Sequence, residues 1–475
     1  MPGRRELRER VSYNAVLRVS GRTAGAILTV YALHLATHYF KSKWGEIVAA
    51  SALANFFAGI CDFGVARIAS RDLAAQRDMQ SMTYGTALWA GVLASVVAMA
   101  VMVPAAVLIY WQHPVYRSLS LDLVLSLPPN ALWVVSASVL VARARNDMRA
   151  IIDVVSSLLL LGATGAVVAA SLSTAGYVWL TVLADALTAV LGLALARRYV
   201  RADLAHSRPG VPKMLRTAAP VGAGLLCYSL YMQGDVVLLA LVAPSRIVGA
   251  FGVAFQVVVF GTTVPSMLTA AMLPKFMTGD LAARQRLAQR ALDVLALVGA
   301  GVVLLGVIFA RGVLVAIGGH GFASATASLA VLSGFAGIYF PLAVFLDGLV
   351  FVNAERDLLR VLAAVAALNL VAAAIVIPIF GAVGAAAVMT GSAVVQAVLS
   401  SVLFRRRSGL TLSVKRSCYF VVVAAVVLGL SELVHVVTGV SSSESWLLVP
   451  EVAAVAVVYG AGSIGLAGRD LLRRS

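Results

Sequence analysis

Apolar runs of about twenty residues, the length a helix needs to cross the hydrocarbon core of a bilayer, recur from one end of this 475-residue chain to the other. In hydrocarbon every backbone N–H and C=O has to be satisfied inside the segment or in a closed barrel. Barrel strands read as alternating stretches of about ten residues, whereas these runs are continuous. The chain is therefore expected to be an all-α integral membrane protein. Its composition agrees, with 61% hydrophobic and 12% charged residues and a mean hydropathy of +0.95. No polar stretch is long enough for a separate soluble domain.

The runs fall near residues 14–40, 44–67, 82–110, 119–142, 149–172, 175–196, 217–243, 246–274, 289–317, 322–352, 356–379, 381–404, 417–438 and 445–468, about fourteen transmembrane helices. Dividing the eleventh from the twelfth depends on reading Pro378 and Gly381 as a tight turn. The first run is too long for a signal-peptide core and has no small-residue cleavage site, so it is expected to be retained.

The basic residues test this layout independently. Of the 37 Lys and Arg, 30 fall in the N-terminus and in alternate connections (67–81, 143–149, 197–216, 275–290, 356–360, 405–416 and the C-terminal tail). The opposite side has Lys41, Lys43, Arg117, Arg246 and Arg311, while Arg18 and Arg22 lie inside the first run. The richness in Ala, Val and Arg suggests a bacterial cell membrane, and the charge asymmetry predicts a multi-pass membrane protein with both termini cytoplasmic. It also accounts for the net charge of +16 as a topology signal and an attraction to anionic lipid, leaving nucleic acid no role.

An internal repeat is legible. The turn Leu140-Val-Ala-Arg-Ala-Arg-Asn-Asp147 recurs at an offset of 210 as Val350-Phe-Val-Asn-Ala-Glu-Arg-Asp357, each time between the fourth and fifth runs of a set of six. A similar offset, about 204, superposes the first run on the seventh. The expected organisation is two parallel six-helix halves, residues 1–200 and 217–404, around a central cleft, with a cytoplasmic linker at 201–216 and two additional helices in 405–475. Transporters of this design place substrate between the halves and alternate access by rocking.

Within the first run Asn14, Arg18 and Arg22 share a helix face, which Gly25 and Thr29 continue. Two readings stay open. The guanidiniums snorkel to the headgroups, or the stripe faces a hydrated cavity, as intramembrane charge usually does. A cavity lined by Arg is an anion site, because the planar fork matches phosphate and carboxylate oxygens. The seventh run has the complementary pattern, Tyr228, Tyr231 and Asp235 at spacings of three and four, with Gly224 on the same face and Gln233 nearby. A carboxylate so deep in the run must be protonated, paired or hydrated. It serves either as a structural hydrogen-bond partner, or as a proton or sodium coupling site or counter-ion to Arg18 or Arg22.

These stretches resemble polysaccharide-type lipid flippases of the MOP superfamily. Pro220, Tyr228, Gln233-Gly-Asp235, Val248-Gly-Ala-Phe-Gly-Val-Ala254, Pro265 and Leu273-Pro-Lys275 are similar to that family's seventh and eighth helices. Trp44-Gly-Glu46 to Cys61-Asp-Phe-Gly64, Arg67 and Arg71-Asp72 are similar to its second, and Asn369 to Ile379 with Phe380-Gly-Ala-Val-Gly-Ala-Ala386 to its eleventh and twelfth. The resemblance implies a flippase for a polyprenyl-(pyro)phosphate-linked oligosaccharide. Substrate contacts are expected from Asn14, Arg18, Arg22, Tyr228, Tyr231 and Gln233, and ion coupling from Asp235 and Asp62, the latter also readable as a helix-end partner of nearby Arg.

Alternatives remain within the same superfamily, a cation-coupled multidrug exporter or a lipid II flippase. The exporters hold organic cations with acidic residues in the N-terminal half, where this chain has Arg18 and Arg22. A polyprenyl-dependent glycosyltransferase or polymerase would use long outer loops, and the longest here, near 113–120 and 441–445, are short. No enzymatic activity, cofactor or metal is expected. Cys61, Cys227 and Cys418 lack ligand spacing. Expected partners are the lipid-linked glycan, membrane lipids, H+ or Na+, and glycan polymerases or transferases around a monomer. His34 and His38 read as interfacial, and Asp153, Asp185, Asp293 and Asp347 as structural.

Overall fold

The computed structural model describes residues 4–75, 79–143, 145–278, 280–352, 354–413 and 420. Among them are fourteen α-helices, short 3-10 turns and no strand. Ten stretches are long and apolar enough to cross a membrane. Two of these, Thr23–Ala75 and Glu355–Ser408, have 53 and 54 residues, about 80 Å if straight and over twice the hydrocarbon thickness. Both are broken. Lys41 (φ 50°) interrupts the first, and Gly381 (φ 56°, ψ −135°) the second. With those breaks, the ten stretches account for the twelve runs read between residues 14 and 404. The thirteenth and fourteenth lie outside the described residues, as does Cys418.

Backbone packing divides the chain into two units, Met1–Gly249 and Ala250–Ser475. The first contains α1 (Arg4–Phe40), α2 (Trp44–Asp62), α3 (Val65–Ala75), α4 (Gln80–Ile109), α5 (Pro114–Leu123), α6 (Leu127–Ala142), α7 (Asn146–Ala169), α8 (Thr174–Arg197) and α9 (Val211–Val242). Helices α1 and α7 run parallel. Gly21 packs on Ala150, Gly25 on Asp153 and Ser157, and the Tyr39 hydroxyl donates to the Leu172 carbonyl at 3.0 Å. Helices α2 and α9 run antiparallel: Gly59 packs on Ser229 and, just past the end of α2, Gly64 packs on Val221, while at the start of α2 Gly45 meets Ser245, the first residue of the helix after α9. Small residues at these contacts let backbones approach closely, the main source of helix association where lipid is as apolar as the side chains.

The second run was expected to continue to residue 67. Instead α2 ends at Asp62, Phe63 adopts a left-handed conformation (φ 36°), and α3 starts in a new direction. The reason lies in the pattern: α3 buries Val65, Ile68, Ala69 and Leu73 and exposes Arg67 and Arg71, an amphipathic period suited to a surface helix. Its apolar face joins a core with Tyr84, Val139 and Met214. The linker after α8 is also ordered against α4. Ser207 is fully buried, Thr86 donates to its carbonyl at 3.0 Å, and Trp89 Nε1 donates to the Leu204 carbonyl at 3.0 Å.

The second unit holds α10 (Ser245–Thr278) apart from its first turn, α11 (Leu281–Ile308), α12 (Ala310–Gly318), α13 (Thr326–Phe351) and α14 (Glu355–Ser408). The expected ninth run is split at Phe309 into α11 and α12. In α14, Asn369 Nδ2 donates to Ser392 Oγ at 3.3 Å. Those residues would stand about 34 Å apart on a straight helix, so α14 turns back at Gly381, as the sequence suggested. The arms close around Phe345, Leu349 and Phe404.

The repeated turn has the same internal bonding in both units. Arg143 and Arg145 donate backbone N–H groups to Val139 and Leu140 at 3.0 and 2.9 Å, while Val352 and Ala354 donate to Gly348 and Leu349 at 3.2 and 2.9 Å. The backbone register is thus 209, one less than read from the residues. Asp147 and Asp357 each pair with an arginine at 2.8 Å, but with differently placed ones, Arg145 two residues before and Arg360 three residues after.

Candidate functional site

On α9 the expected polar face is formed. Tyr231 and Asp235 are each 1% exposed, and Tyr228 and Gln233 are half-buried. Tyr231 lies within electrostatic reach of both Asp235 and Tyr228. At about 100° per residue, Gly224, Tyr228, Tyr231 and Asp235 cluster roughly 120° around the helix from Gly222, Leu225 and Ser229, which meet α2. The polar residues are therefore not spent on the α2 contact. Pro220 sits inside the helix, where a missing N–H bond is tolerated if neighbours supply partners.

Positions 14, 18 and 22 are helical in α1, which preserves the common face expected for Asn14, Arg18 and Arg22. Their side chains lie outside the described residues. Gly25 and Thr29, read as the continuation of that face toward a cavity, instead pack on α7. Gly25 is buried against Ser157 and Asp153, and Thr29 Oγ1 stands 2.9 Å from the Gly25 carbonyl and 3.4 Å from Ser157 Oγ. Arg149, Asp153 and Ser157 follow one another at i+4 on α7, a polar stripe that the sequence reading did not connect to α1.

Asp62 ends α2. Its carboxylate accepts from the Ala66 N–H in the first turn of α3, with Arg67 and Arg149 within electrostatic reach. This is the geometry of a helix-end partner, an anion at a helix N-terminus. One carboxylate oxygen, Oδ1, is buried without a hydrogen-bond partner.

A small pocket in the second unit was not anticipated. Thr269, Asp347, Phe351 and Phe404 line it with small residues of α11 and α13. Thr269 donates to Asp347, while the Pro265 carbonyl lies 3.1 Å from the same hydroxyl; one proton serves two acceptors. Asp293, 3% exposed, accepts from Gln289 at 2.8 Å, and Gln289 bonds the Ser413 backbone. The signal for both was an acid inside an apolar run. Among the described residues, no group of three or more His, Cys, Asp or Glu could hold a metal ion.

These features define a multi-pass helical membrane protein, and solved structures share the fold. A lipid II flippase MurJ in an inward-closed conformation superposes with a TM-score of 0.80 at 12% identity, over 96% of this chain and 100% of that one. An inward-facing MATE-family multidrug resistance transporter of the MOP superfamily gives 0.63 at 14% identity, over 83% and 98%. A MOP superfamily transporter from Pyrococcus furiosus, whose binding pocket is described as having reverse polarity, gives 0.53 at 16%, over 84% and 95%. Residues 27–279, more than half of the chain, match the family described as polysaccharide biosynthesis protein, and the chain belongs to that family. The expected MOP-type resemblance is borne out. No curated protein sequence gave a significant match.

Proposed function

We propose that the protein is a flippase that moves a polyprenyl-(pyro)phosphate-linked oligosaccharide from the cytoplasmic to the outer leaflet for cell-surface polysaccharide synthesis. What supports this reading is the pair Arg18 and Arg22, four apart inside an apolar run, in a chain of the polysaccharide biosynthesis family with a transporter fold. An unpaired anion in hydrocarbon costs several kcal/mol or more. Two guanidiniums, assisted by Asn14, offset that cost for a phosphate group.

In this reading the glycan enters a hydrated cleft between the halves 1–200 and 217–404 while the prenyl tail stays in lipid. Tyr228, Tyr231 and Gln233 contact the glycan, and rocking of the halves exposes it outside. Asp235, and secondarily Asp62, couple the cycle to a proton or sodium gradient. The charge asymmetry supports cytoplasmic termini, and the richness in Ala, Val and Arg a bacterial cell membrane. The reading has no enzymatic step and lets a monomer serve glycan polymerases or transferases.

Lipid II is the second reading, favoured by the extent of the match to a lipid II flippase. A cationic drug is disfavoured by arginine where an acid would be needed, and pocket polarity does differ within this fold. The test is glycan export in cells carrying Arg18→Ala with Arg22→Ala at wild-type protein levels. Export should collapse; wild-type export would remove these residues from the mechanism.

A further inference from the structure

The fold-back of α14 brings its first and last turns together at one end of the second unit. The closing contact is Asp357, only 14% exposed, which pairs with Arg360 at 2.8 Å and also with Arg407. Those two guanidiniums nevertheless stay 79% and 55% exposed. Arg356, Arg405 and Arg406 are exposed beside them. Five arginines thus face two acids, Glu355 and Asp357, in these turns.

Each arm also presents an exposed apolar track that leads to an arginine. On the second arm Val394, Val398 and Val402 are 48%, 56% and 46% exposed and precede Arg406 at successive steps of four. On the first arm Val371, Ala367 and Ala363 are exposed and lead back to Arg360. Residues at these spacings share one helix face.

The equivalent place in the first unit is built differently. There Asp147 chelates Arg145, which also lies over the Tyr199 ring at 5.5 Å, and Arg143 donates to Gln80 and to the Tyr199 carbonyl. Arg143 and Arg145 are thus engaged by the protein's own groups, while Arg197 and Arg198 at the end of α8 are exposed. In the second unit one carboxylate orients two guanidiniums and leaves them facing outward.

We propose that this end of α14 is a binding site for an anionic phospholipid of the adjoining leaflet. The arginines take the phosphodiester, and the acyl chains lie along the two apolar tracks. Charge complementarity and the run of exposed apolar surface into the arginines select a lipid over a protein partner. The test reads lipid retention without transport, so the proposal can fail while the flippase reading stands.

The test is native mass spectrometry of the full-length protein in detergent, titrated with phosphatidylglycerol or phosphatidylcholine. The variant is Arg405→Gln with Arg406→Gln, which leaves the Asp357 pairs intact. The matched control is Arg197→Gln with Arg198→Gln, the same net change at the corresponding helix end of the first unit. Wild type should prefer phosphatidylglycerol, the variant should lose it by roughly thirtyfold, and the control should keep it. Unchanged binding by the variant, or an equal loss in the control, would overturn the proposal. Displacement of all the lipid by excess inorganic phosphate would also overturn it, since the tracks would then contribute nothing.

Discussion

Gly45 and Gly249, 204 positions apart, meet where the chain enters α2 and α10. A Cβ on Gly249 would stand 2.8 Å from the Gly45 nitrogen. One turn away, Ser245 Oγ donates to the Ser42 carbonyl at 2.9 Å. The separation equals the offset read between the first apolar run and the seventh.

That contact leaves no room for a side chain. A Cβ on Gly45 would fall 1.8 Å from the Ser245 carbonyl oxygen, and backbone cannot swing aside as a side chain can. Gly45→Ala should lower the melting temperature in detergent, by an overpacking cost of about 1–3 kcal/mol or more. Gly162→Ala in α7, where nothing lies within 4 Å, should leave it unchanged or raise it slightly. Thermal unfolding of the two variants side by side checks the contrast.

The reversal of α14 depends on Gly381, whose φ of 56° and ψ of −135° suit only glycine. Gly381→Ala should cost about 1–3 kcal/mol. Asn369→Ala should cost about 1–2 kcal/mol by leaving buried Ser392 with one partner fewer. A cysteine pair at 369 and 392 should cross-link within one chain, which a straight helix would forbid.

The linker should behave as a docked strap. A Cβ on Gly85 would lie 2.3 Å from the Asp203 carbonyl oxygen, so Gly85→Ala should undock the linker and speed tryptic cleavage after Arg201. Asp203 is held below its ordinary pKa of 3.8 by the His206 backbone N–H first and the His206 side chain second. A depressed carboxylate contributes above its unfolded value and is lost as pH falls through the lower folded value. Protease resistance should therefore be flat from neutral pH to about 5 and weaken only below 3.8.

Asp235 is 1% exposed in the middle of α9. Asp235→Asn keeps the shape and removes the charge. Transport in vesicles should then stop responding to imposed proton or sodium gradients, while Asp62→Asn should weaken the α2–α3 junction more than the coupling. An unaltered gradient response in Asp235→Asn would end its role as the coupling group.

Much of this was legible because membrane insertion writes itself into sequence: apolar length set the runs, and Pro378 with Gly381 marked the reversal. The α2–α3 break is made by Phe63 and Gly64 together, both at positive φ; Phe63 is an ordinary apolar residue, and Gly64 was the one local signal, hidden inside an apolar run. The polar face of α9 could be read from its three- and four-residue spacing. Which neighbour Gly25 and Thr29 meet could not, because a stripe states its direction relative to its own helix and says nothing of what lies opposite. The Thr269–Asp347 contact joins residues 78 apart that share no local pattern.

The most direct measurement is profiling of polyprenyl-linked glycans in a strain lacking the protein, with leaflet assignment by an impermeant glycan-oxidising reagent. The account predicts that a lipid-linked oligosaccharide accumulates shielded on the cytoplasmic side and is released when the wild-type gene is restored. An unchanged lipid pool with heightened sensitivity to cationic drugs would contradict it, and the arginines of α1 would then be structural.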